Sequence, residues 1–171
     1  DYCILILFLN CGMRLSELVG LNLTDIHFGD STVNITGKGN KERIVYLNDA
    51  CIDALQRYLT VRPREGISEK NALFISGQRK RISPKTVQYI VKKYLAMIDL
   101  GGPGYSVHKL RHTAATLMYQ HGHVDIRVLK DILGHESLGT TEIYTHLSSE
   151  QMATAAEANP LSHVKPRTAP P

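Results

Sequence analysis

The chain has 171 residues, a length that suits one domain with a substantial hydrophobic core rather than two. Hydrophobic residues make up 43% of the sequence and charged residues 21%, which excludes a mainly disordered chain. The formal net charge of +4 is compatible with an anionic partner but does not identify one, because many soluble proteins are mildly basic.

Cysteine usage and hydropathy indicate an intracellular protein. Cys3, Cys11 and Cys51 lie among apolar residues and are expected to be reduced core thiols, as is typical of a reducing cytosol. The apolar run CILILFLN is too short to span a bilayer and lacks the basic leader and cleavage site of a signal peptide. We therefore expect a cytoplasmic protein with no membrane association.

The first third of the chain predicts helices and one hairpin. Residues 2–11 are apolar with no capping signal before them, so we expect a buried helix whose beginning is missing and which ends near Gly12. A short helix follows in RLSELVGL. The β-branched runs TVNI and RIVYL flank GKGNK and predict a β-hairpin with a basic tip. Asn48 then caps a further helix.

Helices also dominate the rest of the predicted elements. After a short strand in ALFIS, the segment 83–98 has a Ser-Pro start and one apolar stripe. Further helices are predicted from residue 107, from Asp125 to Gly134, and over the alanine-rich residues 148–160. The proline-rich residues 161–171 are expected to form a flexible tail. The predicted fold class is mainly α with a small antiparallel β-hairpin or sheet.

The segment SVHKLRHTAAT, residues 106–116, crowds basic side chains onto one helix. His108, Arg111 and His112 are three and four residues apart and are expected to share the face opposite the apolar one. A zinc site is disfavoured because Lys109 stands where a zinc peptidase needs a glutamate, no acidic third ligand follows, and Arg111 would repel a cation. The alternatives left open are a solvated basic face and an anion-binding site.

Four segments occur in the order and form of a known family. CGMRLSELVGL, ITGKGNKERIVYL, HKLRHTAAT and LGHESLGTTEIYTH resemble the signature blocks of the tyrosine recombinase (phage integrase) family, nearest to Xer-type and mobile-element integrases. With their connections they cover residues 1 to about 147, so we expect a catalytic domain over 1–147, a C-terminal helix over 148–160 and a tail over 161–171. The resemblance also implies that a DNA-clamping core-binding domain normally precedes this domain, and we expect it to be absent here.

The resemblance assigns roles to particular residues. Tyr144 is expected to be the nucleophile, Lys38 the general acid and His108 the assisting base. The residues expected to bind the phosphate and its transition state are Arg14, Arg111 and His135. Glu17 matches a position that supports Arg14, and His112 one beside the second arginine. The implied reaction forms a 3′-phosphotyrosyl link and needs no metal, cofactor or ATP.

The implied partner is double-stranded DNA, bound by a homo-tetramer on paired sites in the full-length protein, while this chain alone is expected to be monomeric. The residues expected to contact the phosphate backbone of the DNA are Lys41, Arg43, Arg79, Lys80, Arg81 and Lys85. The tail sequence slightly favours integration and excision of a mobile element over Xer-type chromosome dimer resolution. A type IB topoisomerase and a catalytically silent DNA-binding regulator are the alternatives outside this class.

Overall fold

The structure is a computed structural model, and it describes residues 1–102, 104–122, 124–133 and 149–166. Within these ranges the fold is mainly helical with a small antiparallel sheet, which confirms the predicted fold class. The elements in chain order are α1 (Tyr2–Cys11), α2 (Leu15–Gly20), β1 (Ile26–His27), β2 (Thr32–Thr36), β3 (Glu42–Tyr46), α3 (Asp49–Val61), α4 (Pro84–Ala96), α5 (Val107–Gln120), α6 (Ile126–Leu133) and α7 (Ser149–Glu157).

The sheet has the strand order β1-β2-β3, with both pairs antiparallel. The predicted hairpin is formed by β2 and β3, in a register that places Val33 opposite Val45. The two-residue strand β1 is too short to show a periodic pattern, and the sequence did not predict it. The strand predicted over residues 72–76 is not formed, and this segment makes only isolated bridges, such as Asn22 with Ala72.

Helix α1 lies at the centre of the main core, between α3 and α5. Its side chains are buried nearly all round, as the unbroken apolar run predicts, and Leu7 and Phe8 have no solvent exposure. Full burial of side chains of this size stabilises the fold by about 2 kcal/mol each. Gly12 ends the helix with a left-handed φ of 58° and donates its N–H to the Phe8 carbonyl.

A second hydrophobic cluster joins the later part of α5 to α6 and α7. It includes Met118, Leu129, Leu133 and Ala155. The C-terminal helix therefore packs on its own domain. The free thiols of the three cysteines are buried, as predicted.

Residues that follow α7 are also docked. The Ser162 carbonyl accepts from the Ala50 N–H at 2.6 Å, and the Val164 carbonyl accepts from the Tyr2 hydroxyl at 3.2 Å. Residues 161–166 thus differ from the flexible tail expected there, because the Tyr2 hydroxyl at the start of α1 and the Ala50 N–H at the start of α3 donate to their carbonyls. Residues 167–171 lie outside the described ranges. None of the described helices is long and apolar enough to cross a membrane.

Candidate functional site

Arg14 lies at the start of α2, two residues after the glycine turn that ends α1. Its backbone N–H donates to Glu17 Oε2 at 2.7 Å, and its Nη1 donates to Glu17 Oε1 at 2.9 Å. Glu17 is only 4% exposed. The contact expected between these two residues is therefore present, and it fixes both the main chain and the side chain of Arg14.

A second arginine shares this carboxylate. Arg43, on β3, donates from Nη1 to Glu17 Oε1 at 2.7 Å and from Nη2 to Oε2 at 2.9 Å, a bidentate pair. Burial alone would raise the pKa of Glu17, but the hydrogen bonds and charges of Arg43 and Arg14 outweigh it and lower the pKa to about 2. The carboxylate is therefore ionised throughout the neutral range.

Arg111 is buried rather than displayed on a solvated helix face, with 6% exposure. Its Nη1 donates to the Gly12 carbonyl at 2.5 Å and its Nη2 to the Leu133 carbonyl at 2.6 Å. These carbonyls end α1 and α6, where a cation is favourable. Burial, and secondarily the charge of Arg14, lower the pKa of Arg111 to about 10, so it stays cationic at neutral pH.

His108 and His112 remain at the surface of α5, one helical turn apart. Their Nε2 atoms are 3.1 Å apart, and the rings meet edge to face with centroids separated by 4.6 Å. One imidazole must donate to the other at this distance, which couples the tautomers of the two rings. In the described parts of the chain no three His, Cys, Asp or Glu side chains converge as a metal site requires.

A cleft of about 1070 Å³ brings Arg14, His108 and Arg111 together with Lys85. The first turns of α4 and α5 open onto it, and the N-terminal end of a helix favours anions. Among the described residues, those that line the cleft include no aspartate or glutamate. The cleft is therefore suited to an anionic ligand.

Other predicted site residues lie on segments of which less is described. The turn between β2 and β3 includes the short 3-10 segment Lys38–Asn40, so the backbone of Lys38 lies at the hairpin tip as predicted. Lys41 follows the turn and is exposed. His135 and Tyr144 lie outside the described residues.

Two of the arginines expected to contact DNA are bonded inside the domain. Arg43 binds Glu17, as above, and Arg81 donates from Nη1 to the carbonyls of Val19 and Leu21 and from Nη2 to Asn22 Oδ1 at 2.7 Å. A third guanidinium atom of Arg81, Nε, donates to Glu69 at 2.8 Å. Their contact with DNA remains a prediction, and this internal bonding counts against it.

Arg79 and Lys80 are exposed on a tight turn, and neither lines the cleft. Two further side chains of the cleft wall, Gln88 and Lys92, lie on the polar face of α4 that the sequence predicts together with Lys85, whereas Tyr89 was not predicted. Tyr89 follows Lys85 by four residues, so the helical period could have identified it. Tyr89 is 69% exposed, a position from which it can contact a ligand.

Comparisons with known proteins place the chain in one family. The family model described as "Phage integrase family" matches residues 1–151. The tyrosine recombinase XerC of Caldanaerobacter subterraneus subsp. tengcongensis is 57% identical over 162 residues, which cover 95% of this chain and 45% of that protein. The chain spans about half the length of the curated relatives it matches.

Solved structures agree. The XerA recombinase superposes with a TM-score of 0.71 at 30% identity, over 98% of this chain and 59% of that one. A XerH site-specific recombinase bound to a palindromic difH substrate, in a post-cleavage complex, gives a TM-score of 0.69 at 28% identity, over 79% and 38%. The slight preference for mobile-element integration drawn from the tail sequence is not supported, and the Xer-type alternative fits these relatives better.

Proposed function

Because the chain belongs to the phage integrase family, we propose that it forms the catalytic part of a Xer-type site-specific recombinase that cleaves and rejoins DNA strands through a tyrosine. The observation that carries this proposal is the cleft in which Arg14, Arg111 and His108 meet with no acidic neighbour among the described lining residues. A phosphodiester is the anion that such a cleft fits, since two guanidinium groups can bind its non-bridging oxygens.

The arginines are suited to lowering the barrier. Negative charge gathers on the non-bridging oxygens as the phosphorus becomes pentavalent, and donors held in place in advance stabilise that charge most. Arg111 is held in place by two helix-end carbonyls, and Arg14 by Glu17. A bound phosphate would also offset the burial that lowers the pKa of Arg111. His135 would add a third donor.

The remaining groups divide the proton transfers. Tyr144 attacks the phosphorus as its hydroxyl proton is taken up, with His108 as the assisting base. Lys38 protonates the departing 5′-oxygen of the deoxyribose. The product is a 3′-phosphotyrosyl link and a free 5′-hydroxyl. Another 5′-hydroxyl can attack that link and reseal the strand without ATP.

We propose that these cations take the place that metal ions occupy in other phosphoryl-transfer enzymes, so that cleavage proceeds without metal or cofactor. The Xer-type relatives support chromosome dimer resolution as the biological role. Solved relatives bound to DNA support double-stranded DNA as the partner. We further propose a homo-tetramer on paired sites in the cytoplasm for the full-length protein.

The test is covalent capture of DNA. A nicked suicide duplex is built from the sequence that the full-length protein selects from a random duplex library, and adducts are separated on a denaturing gel in the presence of EDTA. Wild-type protein is expected to form an adduct and Tyr144→Phe none. Binding without any adduct would favour the silent regulator, and efficient relaxation of supercoils without strand exchange would favour the topoisomerase.

A further inference from the structure

Arg43 joins three segments of the domain through one guanidinium group. Two of its nitrogens form the bidentate pair with Glu17 on α2, and Nε donates to the Ile132 carbonyl near the end of α6 at 3.2 Å. The arginine itself is on β3, opposite Ile35 of β2. Its side chain is only 16% exposed. A guanidinium that is bonded through all three of its nitrogens and is largely buried is poorly placed to contact a DNA backbone.

The ion pair lies directly beneath the hairpin turn. A Cβ atom placed on Gly37 would be 3.6 Å from Glu17 Oε1 and 3.8 Å from Arg43 Nη1, so the main chain of Gly37 passes just above both charged groups. Gly37 also donates its N–H to the Lys41 carbonyl at 2.7 Å, which closes the turn. Lys38 is the next residue along the chain. The backbone that leads into Lys38 therefore packs on the Glu17–Arg43 pair.

The same pair extends to the phosphate-binding arginines. Glu17 accepts from Arg14, and the Ile132 carbonyl that binds Arg43 is adjacent to the Leu133 carbonyl that binds Arg111. One contiguous set of hydrogen bonds thus connects the hairpin, the start of α2 and the end of α6. A displacement of about 1 Å in such a site can reduce the rate about 100-fold.

We propose that Arg43 is a positioning residue that holds the hairpin turn carrying Lys38 in register with Arg14 and Arg111. This rests on the proposed function, in which Lys38 is the general acid. In that step the Tyr144 oxygen forms its bond to phosphorus, the bond from phosphorus to the 5′-oxygen breaks, and the proton of the Lys38 ammonium passes to the departing oxygen. Loss of Arg43 should impair that proton transfer more than the binding of the phosphate.

The chemistry of the leaving group provides a selective test. A 5′-bridging phosphorothiolate releases a thiolate, which needs no proton because thiols have a pKa of about 8.5. A variant that misplaces only the acid should therefore recover on this substrate, whereas one that has lost phosphate binding or folding should not. Arg43→Gln removes the charge, and Arg43→Lys keeps a cation beside Glu17 so that folding is maintained. Arg57→Gln is the matched control, since Arg57 forms an exposed pair with Asp53 on α3.

The experiment compares single-turnover cleavage of nicked oxygen and sulfur substrates by the full-length protein. We expect Arg43→Gln to lose about 100-fold on oxygen but to stay within about fivefold of wild type on sulfur, since general acid catalysis contributes about 100-fold or more. Arg43→Lys should show the same pattern with a smaller loss, and Arg57→Gln no change. Lys38→Ala should reproduce the Arg43→Gln pattern.

The failures are distinguishable. A wild-type protein that forms no adduct with either substrate would contradict the proposed function itself. If the wild type forms an adduct but the sulfur substrate does not restore cleavage by Lys38→Ala, the assignment of Lys38 as the acid is overturned, and this proposal with it. If the sulfur substrate does restore cleavage by Lys38→Ala, two results would overturn the positioning role of Arg43 alone. These are an equal loss of rate by both Arg43 variants on both substrates, and no loss of rate at all.

Discussion

The substitution Glu17→Gln tests the energetics of the site. The Glu17 carboxylate accepts four hydrogen bonds, one from the Arg14 main chain and three from guanidinium nitrogens. Glutamine keeps one acceptor oxygen but places an amide donor against arginine donors, and it leaves the largely buried Arg43 without an opposing charge. Removing one partner of a buried ion pair costs about 4 kcal/mol.

The pKa of Glu17 gives an independent value for the stability that this ion pair contributes. A fall from 4.5 to about 2 corresponds to about 3 kcal/mol of stability. Because the pKa is lowered on folding, this contribution is fully present above pH 4.5 and is lost as the pH falls toward 2. The two figures agree. A loss of this size should lower the Tm by about 10 °C, since 1 kcal/mol shifts the Tm of a domain of this length by about 3 °C.

The assay is thermal unfolding of both proteins across this pH range. The difference in Tm should be about 10 °C near neutral pH and should shrink as the pH falls from 4.5 toward 2, because the carboxylate of the unfolded wild-type protein is protonated over this range before that of the folded protein. Glu69→Gln is the matched control, because Glu69 also pairs with an arginine, Arg81, but its side chain is 53% exposed. Exposed pairs contribute less than about 1 kcal/mol. Equal shifts for the two variants, or a difference independent of pH, would refute the reasoning.

Two further predictions concern the C-terminal segment and the cleft. In Gly122→Ala the new Cβ would lie 2.6 Å from the Ala158 carbonyl oxygen and 2.7 Å from that of Met118. Amides of α7 should therefore exchange hydrogen faster than in the wild type, while those of α1 are unchanged. Equal acceleration in both helices would contradict the packing of α7 on its own domain. Lys85→Gln should weaken DNA binding and reduce the slope of log K against log salt by about 1 in a fluorescence titration, as expected for the loss of one phosphate contact. An unaltered slope would remove Lys85 from the interface.

Local signals predicted the elements that depend on neighbouring residues. Ser83 and Pro84 with the following apolar stripe define α4, and Ser83 Oγ accepts from the Thr86 N–H as a capping residue should. GKGNK between β-branched runs identifies the β2–β3 hairpin. In these cases the stabilising partner lies within a few residues of the chain, so the pattern is visible in sequence.

The arginine environments could not be predicted in this way, because their partners are distant in sequence. Arg43 and Glu17 are 26 residues apart, and Arg111 and Gly12 are 99 apart. Helical spacing placed Arg111 on a polar face, yet two helix-end carbonyls hold it inside the domain. The sequence predicts Arg81 as a DNA contact for the same reason, because its partners Val19, Leu21 and Asn22 are also distant along the chain. Composition identifies a cation but not whether a carbonyl, a carboxylate or a ligand neutralises it.

The most direct test of the proposed chemistry is the identity of the covalent bond. The adduct formed by the full-length protein on its selected suicide duplex is digested with protease and nuclease and analysed by mass spectrometry, and the released strand is tested for phosphorylation by polynucleotide kinase. We predict a nucleotide 3′-phosphate on the peptide containing Tyr144 and a released strand with a free 5′-hydroxyl. A modified residue other than Tyr144, or a 5′-phosphate linkage, would contradict the account.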